Sequence, residues 1–442
     1  MRIAIVGSGI SGNAAAWALT QPFGNEQVSE VVVYERRDRI GGHSCTVDID
    51  YDGTPMKVDV GFIVYNERNY PNLVALFDHL GVETIESDMS FGVSMKGGAF
   101  EWSGQSLSTV FAQRKNIFSV SFWTMIKDIL RFNKQAPLDL KNGTLEGLSM
   151  REYLKKHNFS KAFKDKYLAP MGAAIWSTPH ASVLDFPATT FIQFFDNHRL
   201  MHKKSERPKW RTVVHGSQSY VSKIIAPFQQ NIRLNSEVVN VVRRNGQVHV
   251  SDQNGNEDIF DHIIFAGHTD QTLKALDDAS PKEKAILGAV HYRDNEVYLH
   301  RDQSLMPQRR SVWSAWNYIE TPDETQDKTG VCVSYYANRL QNIDETNPVF
   351  VSLNPATSPR AELTFAKHQF AHPQFDNDAL AAQQALGEIQ GVNNTWFCGA
   401  WCGYGFHEDG LRSGLEVAEK LGAIIPWRSA SKQPPSKLEA AE

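Results

Sequence analysis

Three glycines near the N-terminus have the spacing of a phosphate-binding turn. The apolar run 2–6 predicts a buried strand, the alanine-rich run 13–19 predicts a helix, and the turn joins them directly. In such a turn Gly7 permits the sharp bend, Gly9 lets the backbone approach a pyrophosphate, and Gly12 lets the helix pack on the strand. The helix N-terminus adds free N–H donors and a positive dipole end. The residues predicted to bind a dinucleotide pyrophosphate are Gly7, Ser8, Gly9, Ile10, Ser11 and Gly12.

An acid ends the second predicted strand at the distance expected for a ribose ligand. The run 31–34 is apolar, and Glu35 follows it 23 positions after Gly12, where roughly 20 is expected. A carboxylate at this point can accept hydrogen bonds from both ribose hydroxyls of an adenosine. Because it would repel a 2′-phosphate, the sequence favours NAD or FAD over NADP.

A glycine doublet after Glu35 separates FAD from NAD. The segment 36–43 resembles the doublet motif of the amine-oxidase-like flavoproteins, in which a second phosphate-contacting loop follows the ribose acid. Two glycines remove side chains where the backbone meets the pyrophosphate, and a neighbouring arginine offsets its charge. An NAD dehydrogenase has no need of this loop, so FAD is the predicted cofactor. The residues assigned to it here are Arg36, Gly41, Gly42 and His43.

Composition excludes several classes of function. The chain has 442 residues, 41% of them apolar, which predicts a globular protein with two domains. A net charge of −5 gives no electrostatic case for nucleic acid. The four cysteines lack metal-ligand spacing, so no metal site is expected, and they fit a reduced, cytoplasmic compartment.

The first strand begins at residue 2, so no signal peptide is expected. No apolar run reaches the ~18 residues that span a bilayer, so the protein is expected to be soluble or at most peripheral to a membrane.

Short apolar strands return in the middle and near the end of the chain. They cover 232–241, 261–267 and 394–399, and the last two end in glycine. This pattern predicts a discontinuous FAD-binding domain, formed by 1–75, 213–290 and 392–427. The segments 76–212 and 291–391 are predicted to form the substrate-binding domain, and the polar residues 428–442 a disordered tail.

The run 403–414 completes the resemblance. It leads from a strand into a final helix and resembles the C-terminal flavin-binding motif of amine-oxidase-like enzymes, whose helix N-terminus points at the pyrimidine end of the ring. Together with the run 59–67 it is similar to bacterial amine-oxidase-like FAD oxidoreductases and to the N-terminal flavoprotein domain of plant cyclopropane fatty acid synthases. The resemblance implies an α/β fold, with a Rossmann-like FAD-binding domain of the amine-oxidase type and an inserted α+β substrate domain.

The same resemblance assigns further residues to the cofactor. The amides near Gly410 and Leu411 are candidates to face the ring, and Asp409 either caps the helix or holds the ribityl chain. Tyr65 or Asn66 would face the flavin, or would simply end a strand with a turn. In the family a valine like Val238 packs on the adenine, and residues of the family's cofactor strands correspond here to Gly61, Phe62, Gly267 and Gly399.

His407 is the main departure from the amine oxidases. Those enzymes carry an aromatic cage residue at this position, and they commonly hold a lysine near flavin N5, whereas the strand 294–300 supplies none. Histidine can move a proton at neutral pH, which suits C–H oxidation next to an alkene or double-bond migration. The alternative is a histidine that only hydrogen-bonds the cofactor loop.

A basic amphipathic helix is predicted over 116–131. Its apolar residues recur at helical spacing with Arg114, Lys115, Lys127 and Arg131 around them. Such a helix packs on the core or lies on an anionic membrane surface. The later segment 167–195 combines small residues with aromatics, which fits either core or a long apolar pocket.

The predicted function is FAD-dependent oxidation of an unsaturated fatty acyl or phospholipid-borne chain, ending in desaturation or double-bond isomerisation. His407 or Tyr65 would handle the proton. The alternatives are a flavin amine or amino-acid oxidase, and a non-catalytic flavin-binding partner of a lipid methyltransferase. A small-molecule or lipid acyl substrate is expected, and peripheral membrane contact is an open possibility.

Overall fold

The computed structural model describes residues 1–21, 27–180, 182–320 and 332–429. The strands, in chain order, are β1 (Arg2–Val6), β2 (Glu30–Tyr34), β3 (Thr46–Tyr51), β4 (Thr54–Asp59), β5 (Tyr65–Asn66), β6 (Thr84–Ser87), β7 (Phe91–Met95), β8 (Phe100–Ser103), β9 (Trp210–Val213), β10 (Ile232–Arg233), β11 (Val238–Arg244), β12 (Gln247–Asp252), β13 (Glu257–Phe260), β14 (His262–Phe265), β15 (Tyr292–His300), β16 (Trp316–Ile319), β17 (Cys332–Tyr336), β18 (Phe350–Leu353), β19 (Thr364–Pro373) and β20 (Thr395–Phe397).

Thirteen of the described α-helices lie between these strands, and two follow the last strand. They are α1 (Ile10–Leu19), α2 (Pro71–Leu80), α3 (Leu107–Val110), α4 (Val120–Lys141), α5 (Met150–Lys156), α6 (Lys161–Phe163), α7 (Ala169–Trp176), α8 (Ala188–Asn197), α9 (Gln218–Ile225), α10 (Thr269–Ala275), α11 (Pro281–Gly288), α12 (Ala337–Gln341), α13 (Asn377–Ala385), α14 (His407–Lys420) and α15 (Pro426–Ser429).

A five-stranded parallel sheet in the order β10-β2-β1-β14-β20 forms the centre of the first unit. Its three central strands are rich in Val and Ile, and their buried side chains belong to apolar clusters on both faces of the sheet. Helices α1 and α14 cross in close contact, since a Cβ at Gly414 would overlap the carbonyl oxygen of Ser11. The strand-turn-helix predicted at the N-terminus is therefore the centre of this unit.

A seven-stranded mixed sheet forms the second unit, in the order β19-β15-β18-β17-β16-β7-β8. Neighbouring strands are antiparallel except β16 and β7, which are parallel. Its apolar core includes side chains from α4, α5, α7 and α8. Smaller sheets join the segments: β11-β12-β13, β3-β4 and β5-β9-β6. The domain boundaries given above stay a prediction.

Local signals located several elements correctly and others only roughly. The hairpins predicted at 52–53 and 245–246 join β3 to β4 and β11 to β12. The helix predicted over 116–131 instead begins at Val120, where the Ser119 side chain accepts a hydrogen bond from Phe122 N, and it continues to Lys141. A 3₁₀ turn over Arg114–Phe118 precedes it.

The C-terminal segment differs in part from its prediction as a disordered tail. Residues 428 and 429 belong to α15, where Arg428 pairs with Glu419. Burial of the neighbouring Trp427 against Trp17 holds this turn on the core. The rest of the predicted tail, 430–442, lies outside the described residues. Within the described ranges, no helix has the length and apolarity required to cross a bilayer.

Candidate functional site

A single cavity of about 930 Å³ has walls from both units. One wall consists of the turns that follow the parallel strands, and the opposite wall comes from the mixed sheet and from α7 and α8. Ligands of open α/β sheets bind at the carboxyl ends of the strands. The cavity therefore lies where a dinucleotide would be expected.

The first glycine turn has open space where a pyrophosphate would approach. A Cβ placed on Gly9, the residue before α1, would meet no atom within 4 Å. At Gly12 the same atom would overlap the carbonyl oxygen of Gly7, so this glycine permits close packing of helix on strand and does not line the cavity wall. The other members of the turn, Gly7, Ser8, Ile10 and Ser11, line the cavity as predicted.

The glycine doublet packs directly on this turn. Gly41 N donates a hydrogen bond to Ser8 O at 3.0 Å. Gly42 has a φ of +59°, and a Cβ there would lie 2.9 Å from the Cα of Gly9. Gly42 and His43 line the cavity, whereas Gly41 lies behind them. The two loops thus form one continuous backbone surface.

Glu35 is held in place by backbone and hydroxyl donors. Its Oε2 accepts from Ser8 N at 3.1 Å and from Ser8 Oγ at 2.5 Å, and its Oε1 accepts from Arg37 N at 2.9 Å. The carboxylate lines the cavity together with Arg36 and Arg37. Because the Glu35 carboxylate is already held at the end of β2, it can accept hydrogen bonds from ribose hydroxyls without changing its orientation.

The ring of His43 stacks on its neighbours but leaves one nitrogen without a partner. It lies 4.9 Å from the ring of Phe370 and 5.4 Å from that of His372. Its Nε2 is buried and has no hydrogen-bond partner. Burial, and secondarily His372, lowers the pKa of His43 well below its usual value, so the ring is neutral. An unpaired buried nitrogen at a cavity wall suits a ligand that supplies the missing partner.

The predicted adenine and strand-end residues also reach the cavity. Val238 starts β11 next to a break in its register with β12, and it lines the wall with Gly267. Gly399, which follows β20, lines the wall as well, as do Gly61 and Phe62. These five positions are therefore brought together although they are far apart in the chain.

Tyr65 and Asn66 lie outside the cavity wall. Tyr65 is buried in the core of the first unit, with the rings of Tyr70 and Phe77 at 6.2 and 5.3 Å. Asn66 Oδ1 accepts from Asn69 N at 2.9 Å, which closes a turn after β5. The alternative of a strand end with a turn describes their contacts, although Asn66 Nδ2 is buried without a hydrogen-bond partner among the described residues. The catalytic assignment of both residues stays a prediction.

The residues assigned to the start of α14 have structural partners instead of cavity contacts. Asp409 Oδ2 accepts from Tyr404 N and Phe406 N, both at 3.0 Å, so it caps its own helix. Gly410 N donates to Phe406 O, and Leu411 is fully buried in the core. Burial raises the pKa of Asp409. The cavity wall is formed by the preceding residues, from Tyr404 to His407.

Glu408 caps a different helix, α2. Its Oε1 accepts from Asn72 N at 3.0 Å and Asn72 Nδ2 at 2.7 Å, and its Oε2 accepts from Leu73 N at 3.0 Å. These amides belong to the first turn of α2, where backbone donors lack intrahelical acceptors. The contact fixes α14 relative to α2.

His407 lines the cavity and is fixed on two sides. Its ring is stacked on Phe62 at 3.8 Å between centroids, with 11° between the planes. Its Nε2 lies 2.6 Å from the hydroxyl of Tyr220, which lies 2.5 Å from Ser44 Oγ in the doublet loop. Burial lowers the pKa of His407 to about 3 and raises that of Tyr220. The chain Ser44–Tyr220–His407 therefore links the doublet loop to α14 through neutral groups.

The far side of the cavity is apolar and aromatic. Trp316 and Tyr335 contact each other edge to face at 5.0 Å, and Phe406 stacks on Phe194 at 5.1 Å. We name this surface the apolar wall; it consists of Met89, Phe91, Met171, Ala174, Ile175, Phe194, Leu200, Trp316, Tyr335, Leu340, Val351 and Leu353.

Sequence reasoning missed the residues that come from distant elements. Tyr220 on α9, Trp316 on β16 and Tyr335 on β17 belong to no recognised motif. Tyr404 lies within the recognised run 403–414 but was not assigned to the site, and it also lines the cavity. Among the described residues that line the cavity, Lys274 is the lysine present, and it lies on α10 beside Ala275 rather than on the apolar wall.

The residues present fit an adenine dinucleotide with a ring extending beyond it. The open cradle at Gly9, the pre-oriented Glu35 and the unpaired His43 nitrogen each provide a complementary feature. Chemically, the site can bind a long anionic cofactor and place an apolar substrate next to it.

Comparison with known proteins supports this fold. Residues 5–80 match the model of the NAD(P)-binding Rossmann-like domain. No curated protein matches the chain. Among solved structures, the CLA-producing fatty acid isomerase from P. acnes aligns with a TM-score of 0.68 at 15% identity, covering 95% of this chain and 98% of that one.

Two amine oxidases align over a similar extent. Putrescine oxidase bound to putrescine gives a TM-score of 0.67 at 17% identity, covering 95% of this chain and 99% of that one. Cyclohexylamine oxidase from Brevibacterium oxydans IH-35A gives 0.65 at 16%, with the same coverage. These likenesses confirm the predicted α/β fold, a Rossmann-like domain with a second α+β unit of the amine-oxidase type.

Proposed function

We propose that the protein is an FAD-dependent oxidoreductase that acts on an unsaturated fatty acyl chain, by desaturation or double-bond isomerisation. The observation that carries this proposal is the continuity of the cavity, which extends from the phosphate-binding turns to the apolar wall. Bound FAD would supply reversible acceptance of a hydride from a substrate C–H bond.

The chain's own residues would divide the work of binding. The N-terminus of α1 and the doublet loop would hold the pyrophosphate, Glu35 the ribose, and Val238 the adenine. The apolar wall would bind the acyl chain and exclude water from it. Twelve apolar or aromatic side chains form this wall, which suits a hydrocarbon chain, and Asp294 of β15 also lines the cavity without belonging to it.

His407 is better suited to positioning than to proton transfer. A buried ring whose pKa is about 3 is a weak base near neutral pH, and its Nε2 is already paired with Tyr220. The stack on Phe62 and the link to Ser44 would fix the start of α14 beside the cofactor. This corresponds to the alternative in which His407 hydrogen-bonds the cofactor loop.

Amine oxidation is the second candidate. Its support is the aromatic character of Tyr404 and Phe406 on the cavity wall, and the likeness to putrescine and cyclohexylamine oxidases. Against it, His407 is packed against Phe62 at the position of a cage residue. The carboxylates that line the cavity, those of Glu35, Glu237 and Asp294, are not members of the apolar wall. We therefore rank it below acyl oxidation.

A substrate panel tests the proposal. FAD-loaded protein is mixed anaerobically with mono- and diunsaturated fatty acids, with the same chains in phospholipid, and with amines, and flavin bleaching and lipid products are recorded. We expect bleaching or isomer formation with an acyl chain only. Bleaching by amines with peroxide release in air would establish the second candidate. FAD that never cycles with any of them would indicate a flavin-binding subunit, such as a partner of a lipid methyltransferase.

A charge on the apolar wall distinguishes the candidates further. Ile175→Glu places a carboxylate among apolar side chains, and Ile85→Glu places one at an exposed position outside the cavity. If the substrate is acyl, the first variant loses turnover while FAD stays bound, and the second behaves as the wild type. If Ile175→Glu improves turnover of a cationic amine, acyl oxidation is contradicted.

A further inference from the structure

The outer face of α4 alternates large apolar and basic side chains. Positions three or four apart share one face of a helix, and those that point outward here are Val120, Trp123, Lys127, Leu130, Lys134, Leu138 and Lys141. The inner face carries Phe122, Met125 and Phe132, which are buried in the core of the second unit. The inner face therefore packs on the core, as one alternative for this helix predicts, whereas the outer face is left to solvent.

Apolar side chains are concentrated at the N-terminal end of this face. Phe118 is 88% exposed, Val120 82% and Trp123 49%. Trp123 Nε1 donates to Ile117 O at 2.8 Å, and its ring lies 5.4 Å from that of Phe111. The turn before α4 is thus fixed in place while its large side chains face solvent. We name residues 117, 118, 120 and 123 the apolar tip.

The charges of α4 are separated by face. Its two acids, Asp128 and Asp139, are buried and accept hydrogen bonds from Ser160 N and the Tyr153 hydroxyl. Its cations are all exposed: Lys127, Arg131, Lys134 and Lys141. Arg131 pairs with Asp128, whereas the three lysines form no ion pair within the described ranges. The chain as a whole carries a net charge of −5. The positive charge of this helix face is therefore a local feature that the net charge does not reveal.

We propose that α4 docks the protein on an anionic lipid bilayer, with the apolar tip inserted among the headgroups and the lysines facing lipid phosphates. Helices that lie in the interface combine large apolar residues with Lys and Arg in this way. At 22 residues, α4 provides a contact about 33 Å long. Basic residues near an anionic surface contribute about 1 kcal/mol each.

The charge pattern argues against a second copy of the chain as the occupant. Two such faces brought together would oppose lysines to lysines, which is destabilising. An anionic surface complements all three lysines at once, and its headgroup region accommodates Phe118 and Val120. The inference does not depend on the cofactor or the substrate, so it stands or fails apart from the proposed function.

Vesicle sedimentation tests the docking. The full-length protein is spun with phosphatidylcholine vesicles, with and without phosphatidylglycerol, at low and high salt. Two variants remove one component each: Phe118→Ser with Val120→Ser, and Lys127→Gln with Lys134→Gln and Lys141→Gln. Matched controls change exposed residues elsewhere: Val392→Ser with Ile424→Ser, and Lys155→Gln with Lys284→Gln and Lys420→Gln.

We expect salt-sensitive binding to the anionic vesicles. The lysine variant should weaken it on the order of a hundredfold, the apolar-tip variant should abolish it, and both controls should bind as the wild type with unchanged melting temperatures. Absence of binding by the wild type, or equal binding by all variants, overturns the proposal. A dimer in light scattering that the Phe118→Ser and Val120→Ser changes dissolve would identify a second copy as the occupant and overturn it as well.

Discussion

Gly9 and Gly387 both have room for a side chain, yet only Gly9 faces the cavity. A leucine at either position would meet no atom within 4 Å of its Cβ. Only at Gly9 would the leucine side chain occupy the space in which the pyrophosphate of FAD is expected. Gly9→Leu should fill the pyrophosphate cradle and yield colourless, folded protein, whereas Gly387→Leu should remain yellow.

The measurement is the flavin absorbance of the purified variants, with circular dichroism to confirm folding. A yellow Gly9→Leu protein with wild-type FAD content would contradict the placement of the pyrophosphate at the α1 N-terminus.

The role of His407 can be separated from its packing by two substitutions. His407→Ala removes both the stack on Phe62 and the acceptor for Tyr220, so it should keep FAD but lose turnover. His407→Gln retains an acceptor near Tyr220 and should recover much of the rate if the residue positions its neighbours.

The check is kcat for both variants over a range of pH. Equal inactivity of the Gln and Ala variants, together with loss of one ionisation from the wild-type pH profile, would show that His407 carries the proton.

At the scale of elements, Glu408 at the start of α14 fixes this helix against α2. Glu408 satisfies three donors in the first turn of α2. Glu408→Gln would turn an NH₂ group toward one of these donors and leave it unpaired, which costs roughly 1–3 kcal/mol. The exposed Glu416→Gln on the same helix is the matched control.

Urea unfolding of both variants measures this cost. A Glu408→Gln protein as stable as the control would show that Glu408 does not hold the two helices together.

Sequence reasoning succeeded at elements whose signals are local. The turn 7–12 contains its own strand, glycines and helix, so its structure follows from neighbouring residues. The partners of Glu408 lie 335 and 336 positions away, and no local pattern could identify them. Asp409 and Gly410 have local partners in the α14 cap, and their assignment to the cofactor stays a prediction.

On the scale of the whole molecule, buried histidines link folding to pH. Burial lowers the pKa of His198, His268, His300 and His372 from 6.5 to about 4, and that of His407 to about 3. Below pH 6.5 the unfolded chain takes up protons that the folded state does not, so stability falls as the pH decreases. The pKa of Asp59, raised by burial to about 6, opposes this trend in part.

We therefore expect the free energy of unfolding to decrease between about pH 7 and about pH 5.5, by roughly 1 kcal/mol for a histidine such as His300. His300 is fully buried, with Nε2 2.8 Å from Ser352 Oγ and Nδ1 accepting from Asp302 N. His300→Gln should make the pH dependence shallower by that amount. Urea unfolding of the wild type and of His300→Gln at both pH values measures this difference. A free energy of unfolding that rises on acidification would contradict the assignment of neutral buried rings.

The cavity could be predicted from the sequence only at its cofactor end. The phosphate turns, Glu35 and the doublet are motifs, whereas the apolar wall is formed by side chains from β7, α7, α8 and β16 to β18, whose common direction depends on the fold. The mixed sheet must form and pack against α7 and α8 before these residues share a surface.

The absorbance spectrum of the purified, full-length protein tests directly whether the cavity binds FAD. After addition of FAD and removal of the excess, we expect a yellow protein that releases one FAD per chain when it is denatured. A folded protein that stays colourless and retains no FAD would contradict the cavity assignment, and with it the proposed chemistry.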